Sequence, residues 1–197
     1  MKPINQIEPL IGEAEKNALN LYLNSGGWLT EYKNTKKFEE NIAHFLKSKN
    51  ALTVCNGTLS LSLALMALNI GKNDEVIVPD FTMIASANAV NLVGSKPKLI
   101  DISQSNLCID IDLIEDNITK KTKAIIVVSL NGRSPKIDKI LSIASKYGLK
   151  VIEDAAQAFG SKYKGKYIGT FGDIGSFSLS FPKIITTGQG GIVVTDN

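Results

Sequence analysis

A lysine, an aspartate and a glycine turn are the residues here most able to do chemistry. Lys183 stands in Ser178-Leu179-Ser180-Phe181-Pro182-Lys183, followed by Thr186-Thr187-Gly188-Gln189-Gly190-Gly191, a segment with no other charge. Such surroundings suit an amine that sheds its proton and forms a Schiff base with an aldehyde. Taken alone, Lys183 reads more readily as a solvated loop lysine, and it is the features upstream that reverse this. Ser178 and Ser180, two positions apart, share one face of an extended stretch, where a hydroxyl could bind phosphate or simply bond the backbone.

Asp154 ends the apolar strand of Val151-Ile152-Glu153-Asp154-Ala155-Ala156-Gln157. A carboxylate there is costly to bury without a charged or hydrogen-bonded partner. A pyridinium nitrogen is one such partner: the carboxylate keeps it protonated, and the ring can then accept electrons. A helix N-cap or a magnesium ligand are the other readings of Asp154. Cys55-Asn56-Gly57-Thr58 lies between a strand and a long helix. Glycine permits the sharp turn, amides at the helix start point toward an anion, and Thr58 adds a hydroxyl. The patterns G-x-x-x-x-G-K-[ST] and G-x-G-x-x-G are both absent, which disfavours a common nucleotide-binding loop. An amine, a carboxylate and an anion-binding turn together could hold pyridoxal phosphate.

The elements that must position these groups alternate. Helices are expected over 13–23, ended by Gly26-Gly27, and over 36–47, with Trp28 and Leu29 in the loop between them. Strand 51–55, helix 58–68, strand 75–78 and helix 84–93, capped by Thr82, come next. Strand 98–102, a helical turn near 110–117, strand 124–130, helix 137–147 with its Gly148 stop, and strand 150–153 complete the series. Continuously apolar strands alternating with helices predict a largely parallel sheet covered on both faces, with ligands beyond the strands' carboxyl ends. Residues 160–191 read as turns and antiparallel strands. The chain ends on the apolar strand Gly191 to Thr195, which predicts a truncated domain with that strand exposed.

With 197 residues, 44% of them hydrophobic, the chain can bury a sizeable core. Its net charge of +3 is spread among interspersed lysines and acids, so no basic stripe points to nucleic acid. Cys55 and Cys108 are the only cysteines and make no disulfide framework, which favours a reducing compartment. His44 is the only histidine, excluding a histidine triad or a multi-histidine metal site within this chain. No apolar run approaches the ~20 residues of a membrane span and no signal-peptide core is present, so a cytoplasmic protein is expected.

In order along the chain, Gly27-Trp28-Leu29-Thr30, Phe38-Glu39, Asn56-Gly57-Thr58, Asp74 to Pro79, Thr82 to Asn88, Glu153 to Ala158, Phe171-Gly172-Asp173, Ser176-Phe177-Ser178 and Lys183 with Thr186 to Gly191 resemble the DegT/DnrJ/EryC1/StrS family of sugar aminotransferases. The resemblance implies a three-layer α-β-α sandwich with a mostly parallel sheet, like the large domain of aspartate aminotransferase. Residues 1–197 would be this pyridoxal-phosphate-binding large domain, with 1–33 an N-terminal arm and helix and the family's C-terminal small domain absent. Lys183 would hold the cofactor and later act as general acid-base. Asp154 would pair with the pyridinium nitrogen, and Gln157 would lie beside the ring near its phenolic oxygen. Gly57, Thr58 and Ser178 would bind the phosphate.

Met83 stands where members often carry an aromatic residue over the ring; a thioether can pack there. By the same resemblance, glutamate gives the amino group, a nucleotide-linked keto sugar receives it, and the protein forms a homodimer serving surface polysaccharide synthesis. Members that dehydrate their substrates carry histidine in place of the lysine, so Lys183 favours amino transfer. The alternative is a catalytically incompetent cofactor-binding or dimerising module of the same family.

Overall fold

The apolar runs assemble into one seven-stranded sheet in the computed structural model, which describes residues 3–5, 7–26 and 32–197. The expected Gly27 to Thr30 motif therefore lies outside the described residues. From the amino end come α1 (Glu13–Asn24), α2 (Lys33–Leu46), β1 (Asn50–Val54), α3 (Gly57–Ala67), β2 (Glu75–Pro79), α4 (Ile84–Leu92) and β3 (Lys96–Ile100). Two 3-10 turns, Ile111–Leu113 and Glu115–Asn117, precede β4 (Thr122–Val128), and a third, Leu130–Gly132, precedes α5 (Ile137–Tyr147). Then follow β5 (Lys150–Asp154), the hairpin of β6 (Lys162–Tyr163) and β7 (Lys166–Tyr167), β8 (Ile174–Ser178) and β9 (Gly191–Thr195).

The strands lie in the order β1-β9-β8-β5-β4-β2-β3. Pairing is parallel from β8 to β3, while β9 runs antiparallel to both β8 and β1. All strands except β9 therefore share one direction, and their carboxyl ends line one edge. Alternate residues explain the layering. Ala124, Ile126 and Val128 of β4 pack with α3 and α4, whereas Ile125 and Val127 pack with α5 on the opposite face. Ile42 and Leu46 of α2 cover Ile192 and Val194 of β9. The result is the expected three-layer α/β arrangement.

The last strand is not exposed. β9 is wedged between β1 and β8, and Gly191 through Val194 are buried. The sheet's edges are instead β1 and β3, and each is protected. Glu39 of α2 accepts hydrogen bonds from Thr53 N–H (2.7 Å) and Thr53 Oγ1 (2.8 Å), occupying an edge amide of β1. β3 carries Lys96, Pro97 and Lys98, residues that discourage further strand pairing. That strand starts two residues before its expected position, since an edge strand tolerates proline. Thr82 does not cap α4: Met83 holds the cap position, without a side-chain cap bond, and Thr82 Oγ1 meets Ser86 Oγ at 3.1 Å.

Helix ends otherwise follow local chemistry. Asn56 Oδ1 accepts from Leu59 N–H at 2.9 Å to cap α3, and Gly148 ends α5 in the left-handed conformation at φ 66°. In the first turn of α5, Asp138 ties that helix to the β6–β7 hairpin, accepting from Tyr163 Oη (2.8 Å) and Lys164 Nζ (2.9 Å). Lys164 first, then Tyr163, holds the carboxyl down to about 2 from an ordinary 3.8. A depressed carboxyl contributes stability above its unfolded value and loses it as pH falls through its folded value. Asp138→Asn is therefore expected to lower the melting temperature above pH 3.8 and to lose that effect on acidification toward about 2. Because the pair is solvent-exposed, salt should diminish the difference as well. Calorimetry across that pH range checks it.

Candidate active site

The turn after β1 meets the end of β8. Gly57 opens the 11-residue helix α3, whose first-turn amides have no partner within the helix. A Cβ on Gly57 would lie 2.8 Å from Ser178 Cβ, and one on Gly191 would lie 2.5 Å from the Asn56 carbonyl. Side chains are thus excluded where α3, β8 and β9 converge. Buried Ser60 fastens the helix there: its hydroxyl bonds the Gly57 carbonyl at 2.7 Å and also meets Ser176 Oγ of β8. The Ser178 and Ser180 hydroxyls are 3.1 Å apart. Helix amides and neighbouring hydroxyls form a donor set suited to an anion.

Asp154 sits at the carboxyl end of β5 and is only 6% exposed. Ser86 Oγ of α4 donates to its Oδ2 at 2.7 Å, and Ala156 N–H donates to Oδ1 at 3.2 Å. Burial pushes its pKa up, against the Ser86 and Ala156 hydrogen bonds and the Lys183 charge, which pull it down. The turn after β5 is not a helix, so the Ala156 contact does not make Asp154 an N-cap. Among the described residues, no cluster of three or more histidine, cysteine or acidic side chains could hold a metal.

The neighbouring carboxylate does different work. Glu153, 1% exposed, turns to the other face of β5 and accepts from the N–H groups of Gly169 (2.8 Å), Phe171 (2.5 Å) and Gly172 (2.8 Å). Asp173 accepts from Val151 N–H at 2.9 Å and Lys150 Nζ at 2.8 Å. The Phe171-Gly172-Asp173 motif therefore fastens a loop to β5 and does not line the cavity at Asp154.

Lys183 lies in the connection from β8 to β9. Its N–H closes a tight turn on the Ser180 carbonyl at 3.1 Å. Leu179 anchors the loop: its N–H donates to Gly190 O (2.8 Å), while its carbonyl accepts from Thr187 N–H (3.1 Å) and Thr186 Oγ1 (2.9 Å). Lys183 itself is half-buried.

One cavity of about 540 Å³ is lined by all the residues singled out from sequence: Gly57, Thr58, Met83, Asp154, Gln157, Ser178 and Lys183. Gln157 Oε1 accepts from Asn131 N–H at 2.8 Å, which leaves its Nε2 as the donor end. Met83 is 58% exposed at the wall, whereas neighbouring Phe81 does not line the cavity. Arg133, the chain's only arginine, does not line it either.

Ser129 and Ser86 were not anticipated. Ser129 lines the cavity at the end of β4, immediately after Val128, whose register partner is Asp154. A hydroxyl ending an otherwise apolar strand was the available signal. Ser86 is fully buried, and its position one helical turn after Thr82 was the corresponding clue.

These features define an α/β domain able to hold an anionic ring compound against a lysine amine. The chain belongs to the DegT/DnrJ/EryC1/StrS aminotransferase family, which it matches over residues 9–197. It is 46% identical to the GDP-perosamine synthase of Escherichia coli O157:H7 over 198 residues, covering 100% of this chain and 54% of that protein. The solved aminotransferase from Psychrobacter cryohalolentis superposes with a TM-score of 0.91 at 39% identity, over 96% of this chain and 48% of the other. E. coli GDP-4-keto-6-deoxy-D-mannose-3-dehydratase, solved with bound hydrated PLP, gives 0.89 at 30% identity over 96% and 50%. The chain thus spans about half the length of the relatives it matches.

Proposed function

We propose that residues 1–197 are the cofactor-binding large domain of a pyridoxal-phosphate-dependent aminotransferase, with 1–33 as its N-terminal arm and helix. The enzyme would move an amino group from glutamate to a keto sugar carried on a nucleotide. The observation that carries this reading is the meeting of Lys183, Asp154 and the Gly57–Thr58 helix start in one cavity. The residues fit the cofactor on chemical grounds. Asp154 is a buried carboxylate whose pKa is pushed up, a group that gains from a cationic ring nitrogen. The α3 amides with Thr58 and Ser178 suit a phosphate, and the cavity volume suits a small ligand.

Bound there, pyridoxal phosphate supplies an aldehyde for amino exchange and a ring that accepts electrons. The protein's groups do the rest. Lys183 Nζ would condense with that aldehyde, releasing water, and once displaced would hold and return a proton. Asp154 would keep the ring nitrogen protonated, Gln157 would hold the phenolic oxygen through its amide donor, and Met83 would pack against the ring. Lysine at this position favours amino transfer over dehydration, because an imidazole could move a proton but could not exchange with an incoming amine.

The 46%-identical GDP-perosamine synthase supports a nucleotide-linked sugar as acceptor and a place in surface polysaccharide synthesis. A homodimer accords with the exposed apolar row Leu59, Leu63 and Met66 on α3, beside exposed Ile84 and Leu92 on α4. Among the described residues no helix is long and apolar enough to cross a membrane, and free Cys55 and Cys108 accord with a cytoplasmic setting.

Absorbance titration of the chain with pyridoxal phosphate tests the reading, followed by glutamate and a nucleotide-linked keto sugar with product mass measured. Saturable binding and an aminated sugar are expected. Absence of saturable binding overturns the reading. Binding without amino transfer would favour the cofactor-binding or dimerising module instead.

A further inference from the structure

The cavity is walled by a helical layer that carries no charge. Neither α3 nor α4 contains a titratable side chain. Lys183, on the β8–β9 loop, is the charged group whose field lowers the Asp154 pKa, and Glu153 occupies the other face of β5. On the α4 side, the carboxylate therefore relies on a hydroxyl. Ser86 is 0% exposed and gives Asp154 Oδ2 its 2.7 Å bond, while Thr82 Oγ1 stands 3.1 Å behind Ser86.

We propose that Ser86, backed by Thr82, is a positioning residue that orients the Asp154 carboxylate at the cavity and offsets its burial. The direction of the chain follows from proton count. An ionised carboxylate only accepts, so the single Ser86 proton goes to Asp154. Ser86 must then accept from Thr82, whose residue lines the cavity wall. The hydroxyls point inward, each strengthening the next. Removing Ser86 Oγ leaves a buried oxygen short of a donor, a loss larger than that of an exposed bond.

The inference rests on the pyridoxal phosphate reading, but one arm of its test needs no cofactor. In chain labelled with 13C at aspartate carboxyls, and with Asp154 assigned from Asp154→Asn, the titration midpoint should rise by about one unit in Ser86→Ala. Ser86→Thr should return it toward wild type. Thr82→Val, which keeps the side-chain shape, should move it upward by less and remains informative where Ser86→Ala fails to fold.

In the second arm, Ser86→Ala should weaken pyridoxal phosphate binding about tenfold in the wild-type background. In the Asp154→Asn background the effect should be under about twofold. An unmoved midpoint in Ser86→Ala and Thr82→Val, or equal weakening in both backgrounds, overturns the proposal. A wild-type chain that ignores pyridoxal phosphate but shows the shifted midpoint overturns only the functional reading.

Discussion

Lys183→Ala is expected to abolish covalent attachment of pyridoxal phosphate and to lower amino transfer by at least about 10³-fold. Two losses combine in this variant. The amine that bonds the cofactor disappears, and so does the group that holds the proton during transfer. Among the described residues no other lysine lines the cavity, so none there offers a substitute amine. Lys183→Arg should fare little better: guanidinium keeps the charge but stays protonated and does not exchange covalently. Borohydride reduction followed by peptide mass spectrometry reads the result. An adduct that persists in Lys183→Ala would remove this lysine from its assigned role. Non-covalent binding should survive, because the α3 amides, Thr58 and Ser178 remain.

Asp154→Asn is expected to slow amino transfer by about 10²–10³-fold, since a neutral amide cannot hold a proton on the ring nitrogen. Its effect on stability should have the opposite sign. An Asp whose folded pKa is raised loses stability as pH rises from its unfolded value through its folded value, and the cost then persists. Cofactor-free Asp154→Asn, relieved of that buried charge, should therefore melt above wild type at neutral pH. The gap should narrow as pH falls toward the ordinary 3.8. Added pyridoxal phosphate should stabilise wild type more than the variant. Thermal melts of both proteins, with and without cofactor, test each sign. A variant that transfers amino groups at the wild-type rate would exclude the ring-nitrogen role.

Much of this was legible in sequence because the polar groups interrupt apolar ones. β2, β4 and β5 are buried on both faces, so their runs stand out, and Asp154 is conspicuous where one ends. Asn56-Gly57 marks its turn by cap chemistry alone. Pairings between distant segments left no such mark. Ser86 bonds an aspartate 68 residues away, so its buried hydroxyl had no local reason to be functional. Thr82 had the composition of a cap, but capping depends on backbone geometry that Met83 supplies. Glu153 and Asp154 differ by one position and face opposite sides; strand alternation separates them, yet their partners are visible only in three dimensions. The placement of β9 was the largest miss, because insertion between two earlier strands is a property of topology.

That insertion bears on the order of folding. Among the described residues the one strand partner of β1 is β9, with Asn50 bonded to Thr195 across a separation of 145 residues. During synthesis, β1 must wait for β9 before it can pair, and closing so large a loop is slow. The Asp154 carboxylate can be placed early on the β2–β4–β5 core, whereas among the strands α3 and its glycine turn pack chiefly against β8 and β9. The loop bearing Lys183 is braced only when Gly190 and β9 arrive to bind Leu179 and β8. A nascent chain would therefore hold its buried carboxylate in place before it completed either its anion-binding surface or its means of covalent capture.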